Sequence, residues 1–232
     1  MTIPPKTAVI IPALNEAGNI GPLVREILQQ PIEWVIVADN GSEDETGQLA
    51  AEAGALVVSE QRRGYGFACM AGTAVALEHG ADIVLYIDGD FSSPPSEIPL
   101  LLTPIHNNEA DLVLGSRALG NIAAGAMLPH QRFGNWLSSR LMSFLYGISV
   151  TDLGPYRAIR SSLFQALDMQ EMTFGWPTEM MVKSAKREAR ILEIPVSWHS
   201  RRTGESKVSG TLRGSILAAY YILGVTLRYA RK

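Results

Sequence analysis

A recurring unit fills the first half of the chain: a short apolar run, a turn or polar cluster, then a helix-like stretch. The apolar runs fall at 8–12, 34–38, 55–58, 83–87 and 112–114, and helical patterns span 17–30, 44–53 and 65–79. A strand that is apolar on both faces must be covered on both, which helices between successive strands achieve. The pattern predicts an α/β fold with a mostly parallel sheet flanked by helices. Ligands in such sheets bind beyond the carboxyl ends of the strands. Three polar clusters fall there: Asn15-Glu16, Asp39-Asn40-Gly41-Ser42 and Asp88-Gly89-Asp90.

The second half is less regular. Helices are expected over 132–146, 178–187 and 211–231, strands over 156–159 and 191–197, and a polar, basic loop over 200–210. The 232 residues, 47% of them hydrophobic, suit one α/β domain or one with a small appendage. The net charge of -3 lacks the basic footprint of a nucleic-acid binder. A single cysteine, Cys69, excludes an internal disulfide and fits a reducing cytosol. It has no basic neighbour and reads as core. Residues 1–7 carry no signal segment, and the longest apolar stretch, 214–227, falls short of the roughly 20 residues that span a bilayer.

Two carboxylates flanking a glycine after a buried strand, Asp88 and Asp90, can converge on one hard cation. Mg²⁺ takes one or two carboxylates and completes its shell with substrate phosphates and water; Mn²⁺ accepts the same oxygens. Such an ion would neutralise a diphosphate leaving group. Taken alone, the motif also reads as a turn with two capping aspartates. Asp39 and Ser42 read as a turn and helix cap, or as a site where Asp39 bonds the imino edge of a nucleobase. In the first cluster, backbone from Pro12 to Leu14 is placed to hold a nucleoside, with Glu16 near the ribose or base. The histidines (His79, His106, His130, His199) show no metal spacing.

The ordered set Ile11-Pro12-Ala13-Leu14-Asn15-Glu16, Asp39-Asn40-Gly41-Ser42, Arg63-Gly64-Tyr65-Gly66 and Asp88-Gly89-Asp90 resembles glycosyltransferase family 2. Within that family it is most similar to the dolichyl and polyprenyl phosphate mannose or glucose synthases. The resemblance implies a GT-A (Rossmann-like) fold with a donor half over about 1–118, an acceptor half over 119–210, and a C-terminal amphipathic helix over 211–232. It implies inverting, metal-dependent transfer of a hexose from a UDP- or GDP-sugar to a lipid phosphate, with Mg²⁺ or Mn²⁺ as cofactor. Donor contacts then fall to Pro12, Leu14, Glu16, Asp39, Gly64, Asp88, Gly89, Asp90, Arg202 and Lys207. The metal falls to Asp88 and Asp90, with Ser92 in the third ligand place where relatives have a glutamine. Arg202 and Lys207 belong to the segment 201–207, which in relatives closes over the diphosphate. Arg117, Arg132 and Asn135 fall to the acceptor phosphate, Arg117 also acting in catalysis. Asn40 departs from the second aspartate common in the family, and 127–131 departs from its charged segment.

A phosphate monoester acceptor is already ionised and needs no general base, whereas a hydroxyl acceptor does. Glu179 stands in the acidic position that serves as base in hydroxyl-directed relatives, and Asp152 is a second acidic candidate, more suited to a structural or phosphate-site role. A hydroxyl acceptor therefore remains the alternative, and a non-catalytic nucleotide-sugar-binding module is the alternative from another class. Basic residues and tyrosines around 213–232 suit a helix at a membrane surface, or one packed in the core or against another subunit. The expected setting is cytoplasmic, peripheral on the cytosolic membrane face, with a homodimer or a separate membrane subunit as further partners.

Overall fold

The computed structural model describes residues 5–204 and 220–230 in full and the backbone of 212–219. Seven strands form one sheet: β1 (Thr7–Ala13), β2 (Trp34–Asp39), β3 (Leu56–Ser59), β4 (Ile83–Tyr86), β5 (Leu112–Ser116), β6 (Arg157–Arg160) and β7 (Ile191–Pro195). Their order is β3-β2-β1-β4-β6-β5-β7. Six run parallel, and β6 alone is reversed, paired antiparallel to both β4 and β5.

Alternation along the strands divides the core in two. Val9 and Ile11 of β1 point to the face covered by α1 (Ala17–Ile27), α2 (Thr46–Glu52) and, after α3 (Tyr65–Glu78) on the opposite face, α4 (Ile98–His106). Ala8 and Ile10 point to the other face. There they meet α3, α5 (Pro129–Tyr146), α6 (Ser161–Leu167) and α7 (Trp176–Lys186). Helix α3 lies so close to the sheet that a Cβ at Gly72 would come within 2.5 Å of the Ile10 side chain. The terminal helix α8 (Leu212–Ala230) packs on α5 and α7, with Val225 and Thr226 buried.

Three features differ from the sequence reading. The strand expected at 156–159 is present one residue later, but it reverses direction, which no apolar periodicity encodes. Helices α4 and α6 have no counterpart in that reading. Helix α4 carries Pro99 in its first turn, where the missing N–H would have had no intrahelical partner, and Pro104 in its last. Helix α5 likewise starts at Pro129, earlier than the expected 132. Lys207 lies outside the described residues.

Candidate active site

The strands β2, β1 and β4 end side by side, with Ala13 in register with Asp39. The chain order reverses here, since β2 lies on one side of β1 and β4 on the other, and such a switch point opens a crevice. The turn after β1 pivots on Asn15 (φ 52°), a residue type that tolerates the left-handed region. Asn15 N–H donates to Ser42 Oγ (2.9 Å), Glu43 N–H to Asn15 Oδ1 (2.8 Å) and Glu16 N–H to Thr46 Oγ1 (2.8 Å). Two loops far apart in sequence are thus held as one surface.

Asp39 Oδ1 accepts the Ser42 N–H at 2.8 Å. The buried Asn40 acts as a clamp: its amide donates to the carbonyls of Glu60 (3.0 Å) and Arg62 (2.8 Å), and its Oδ1 accepts the Gly64 N–H (2.9 Å). An aspartate would present an acceptor to two carbonyls, which explains the amide in this position. Gly64 adopts φ 151°, and a Cβ there would lie 2.4 Å from the Met172 carbonyl. Its role in the structure is close packing and the Asn40 bond.

Past β4, Gly89 lies over the end of β1, 3.7 Å from the Pro12 carbonyl measured from an added Cβ. This juxtaposes Asp88, Gly89 and Asp90 with Pro12 and Glu16. Burial first, then the Asp90 carboxylate and Glu16, push the Asp88 pKa up to about 7. Arg117 and the Tyr65 hydroxyl, 3.5 Å away, act against the rise. Asp90 Oδ1 accepts the Ser92 N–H (3.0 Å). Among the described residues the buried hydroxyls of Ser92 and Ser93 have no hydrogen-bond partner. Among the described residues no three His, Cys, Asp or Glu side chains are grouped to hold a metal. Two carboxylates at the end of β4, close enough for Asp90 to raise the pKa of Asp88, nevertheless fit a hard divalent ion whose remaining oxygens come from phosphate and water.

The segment following β7 returns to this place. His199 N–H donates to the Ser92 carbonyl (2.8 Å) and Arg202 N–H to the Asp90 carbonyl (3.1 Å). The Arg202 guanidinium stacks 3.7 Å over the Phe91 ring and is otherwise exposed. Arg201, which the sequence reading passed over, turns inward to Glu16 Oε1 at 2.5 Å. Neighbouring residues in an extended segment point opposite ways, and nothing in the linear sequence says which of two adjacent arginines faces in.

On the other side of Asp88, Arg117 grips Asp152 in a two-pronged pair, Nε to Oδ2 at 2.7 Å and Nη2 to Oδ1 at 2.6 Å. It also stacks 4.8 Å from the Trp198 ring. Although burial opposes the charge on Asp152, Arg117 and backbone N–H groups hold its pKa below the ordinary value. Asn135 spans α5 and the 151–153 loop, donating to the Thr151 carbonyl (3.1 Å) and accepting from Leu153 N–H (3.0 Å). Arg117, Arg132 and Asn135 line one cavity of about 800 Å³, together with Trp136 and Arg140. Arg132 and Arg140 are exposed, and among the described residues neither has an ion-pair partner. Arg140 was missed by sequence reasoning; its spacing of eight from Arg132 along the helix was the available signal.

Glu179 is not brought to this cavity. It is fully buried and accepts from the N–H groups of Gln170 (2.9 Å) and Glu171 (2.7 Å) and from the Tyr229 hydroxyl (2.6 Å). Lys183 Nζ lies 2.9 Å away. Its oxygens are occupied in tying α7 to α8 and to the loop before α7. Asp152 is likewise committed, to Arg117. Cys69 is buried on α3 in the apolar core, and burial first and Asp88 second push its thiol pKa well up, which disfavours the thiolate.

Crevice and fold together define a glycosyltransferase of the GT-A class. Residues 8–168 match the family described as Glycosyl transferase family 2, and the chain belongs to that family. An uncharacterised glycosyltransferase of Mycobacterium tuberculosis is 36% identical over 90% of this chain and 93% of its own length. The undecaprenyl-phosphate mannosyltransferase of Micrococcus luteus is 30% identical over 97% and 96%. Among solved structures, glucosyl-3-phosphoglycerate synthase of M. tuberculosis with Mn²⁺, UDP and glucosyl-3-phosphoglycerate aligns with a TM-score of 0.79 over 98% of this chain and 80% of its own, at 22% identity.

Proposed function

We propose that this enzyme transfers a hexose from a UDP- or GDP-sugar to a polyprenyl-type phosphate, with inversion, using Mg²⁺ or Mn²⁺ held by Asp88 and Asp90. One observation carries the reading: Arg117 stands between the carboxylates of the donor crevice and a second, arginine-lined cavity, electrostatically coupled to both Asp88 and Asp152. The naming of the M. luteus relative supports a polyprenyl phosphate acceptor, and the Mn²⁺ and UDP of the structural relative support the donor chemistry.

In this reading the donor's nucleoside lies against Pro12, Leu14, Glu16 and Asp39, its diphosphate near Asp88, Gly89 and Asp90, with Arg202 and Lys207 adding charge. A bound divalent ion would supply neutralisation of the departing diphosphate. The acceptor phosphate is held by Arg117, Arg132 and Asn135. One of its oxygens attacks the anomeric carbon as the bond to the diphosphate oxygen breaks on the opposite side, which inverts the configuration. A phosphate with a second pKa of about 6 is ionised at neutral pH, so no proton need be removed. This agrees with a Glu179 whose lone pairs are already spent.

The setting is the cytosolic face of a membrane. No helix among the described residues is long and apolar enough to cross one. Support for peripheral attachment comes from α5, where Phe133 (61% exposed), Trp136 (53%) and Phe144 (83%) stand in solvent beside Arg132 and Arg140. Helix α8 would add Tyr220, 71% exposed. The test is transfer of radiolabelled sugar to a short-chain polyprenyl phosphate with UDP- and GDP-hexoses and either metal. Transfer to a lipid hydroxyl in place of the phosphate, or to neither, would overturn the acceptor assignment.

A further inference from the structure

Glu16, Asp88 and Asp90 gather three carboxylates in one crevice, and the structure balances them with a side chain. Arg201 Nη2 lies 2.5 Å from Glu16 Oε1 and 4.0 Å from Asp90 Oδ2. A guanidinium keeps its charge at every physiological pH. It is also held in place. Its Nε donates to the Thr203 carbonyl (3.0 Å), Thr203 Oγ1 donates to Asn19 Oδ1 (2.7 Å), and Asn19 Nδ2 donates back to Glu16 Oε2 (2.7 Å). This ring closes Arg201, Thr203, Asn19 and Glu16 upon one another. It sits directly on the first turn of α1, where a Cβ at Gly18 would come within 2.8 Å of Thr203 Oγ1.

Among the described residues Asp90 Oδ1 is taken by the Ser92 N–H, which leaves Oδ2 to meet a cation, and Oδ2 is the oxygen facing Arg201. A Mg²⁺ or Mn²⁺ ion bonds such an oxygen at roughly 2.1 Å. It would then stand within a few ångström of a fixed positive charge. Metal alone is repelled there, while a metal that arrives with an anionic diphosphate is not, because the phosphate oxygens screen both cations.

We propose that Arg201 is the resident counter-cation of the donor site, competing with a lone metal ion for the Glu16–Asp90 carboxylates, so that metal is taken up only together with a nucleoside diphosphate. The inference rests on the reading of Asp88 and Asp90 as the metal seat.

Free Mn²⁺ measured by electron paramagnetic resonance, with and without UDP or GDP, tests it on the full-length protein and its variants. The wild type should bind Mn²⁺ well only with nucleotide. Arg201→Gln should bind Mn²⁺ alone about threefold to tenfold more tightly, the order expected for removing one nearby charge in a partly solvated site. The gain from adding nucleotide should shrink by a similar factor. Arg201→Lys, which keeps the charge, should stay near wild type. Thr203→Val, which breaks the ring without changing any charge, should move the same way as Arg201→Gln by a smaller factor, and it carries the test if Arg201→Gln does not fold. Unchanged or weaker binding of Mn²⁺ alone by these two variants would sink the inference while leaving the metal seat intact. A wild type that takes no Mn²⁺ even with nucleotide would remove the metal seat and the inference with it.

Discussion

Asn40 shows how much a single side-chain atom can decide. Its amide hydrogens point at two carbonyls, so Asn40→Asp places a carboxylate against them and removes two buried bonds. We expect a loss of about 1–3 kcal/mol in urea unfolding, the usual cost of leaving buried partners unsatisfied. Asp90→Asn should weaken Mn²⁺ binding in the presence of nucleotide by more than about tenfold, since even outer-shell changes reach that size. Arg117→Met leaves Asp152 buried without its partner and should cost about 3–5 kcal/mol. The pair also has a pH signature. Asp152 has a depressed folded pKa, so its stabilisation is complete above its ordinary value near 3.9 and is lost as pH falls through the lower folded value. Asp152→Asn should therefore flatten the stability curve only below about pH 4, read by thermal unfolding across acid buffers.

At the scale of elements, the helices make separable claims. Glu179 joins α7 to Tyr229 of α8, so Glu179→Gln should lower the melting temperature and leave the turnover number for phosphate acceptors nearly unchanged. A collapse of turnover in a folded variant would restore it as a base. Phe133→Ser with Phe144→Ser should reduce binding to anionic liposomes while shifting stability by no more than about 0.5 kcal/mol per site, because both side chains already stand in water. The elements legible in the sequence were those with one unbroken apolar pattern, such as β1, β2, β4 and α3. Helix α4 was hidden by Pro99 and Pro104, which read as breakers although both sit in end turns. The polar clusters expected to contact the donor were legible because they follow strand ends directly. The inward turn of Arg201 and the committed state of Glu179 were not, because each depends on partners more than 40 residues away along the chain.

At the scale of the whole molecule, one seven-stranded sheet carries every described strand, and β6 lies reversed between β4 and β5. The six parallel strands all end on one edge of the sheet, where β2, β1 and β4 form the crevice. The reversed β6 instead delivers its amino end to that side, bringing Asp152 and Gly154 beside Arg117. The reversal has a consequence for how the protein is made. On a ribosome, β4 and β5 are complete long before residue 157 emerges, and each must wait with a bare edge for a strand that belongs between them. A direct β4–β5 pairing in that interval would lock β6 out, and exposed strand edges recruit other chains. Fragment 1–118, which holds every donor carboxylate named here, should therefore be aggregation-prone by size-exclusion chromatography, while extension past residue 195, which supplies β6 and also β7 for the other edge of β5, should restore a monodisperse species.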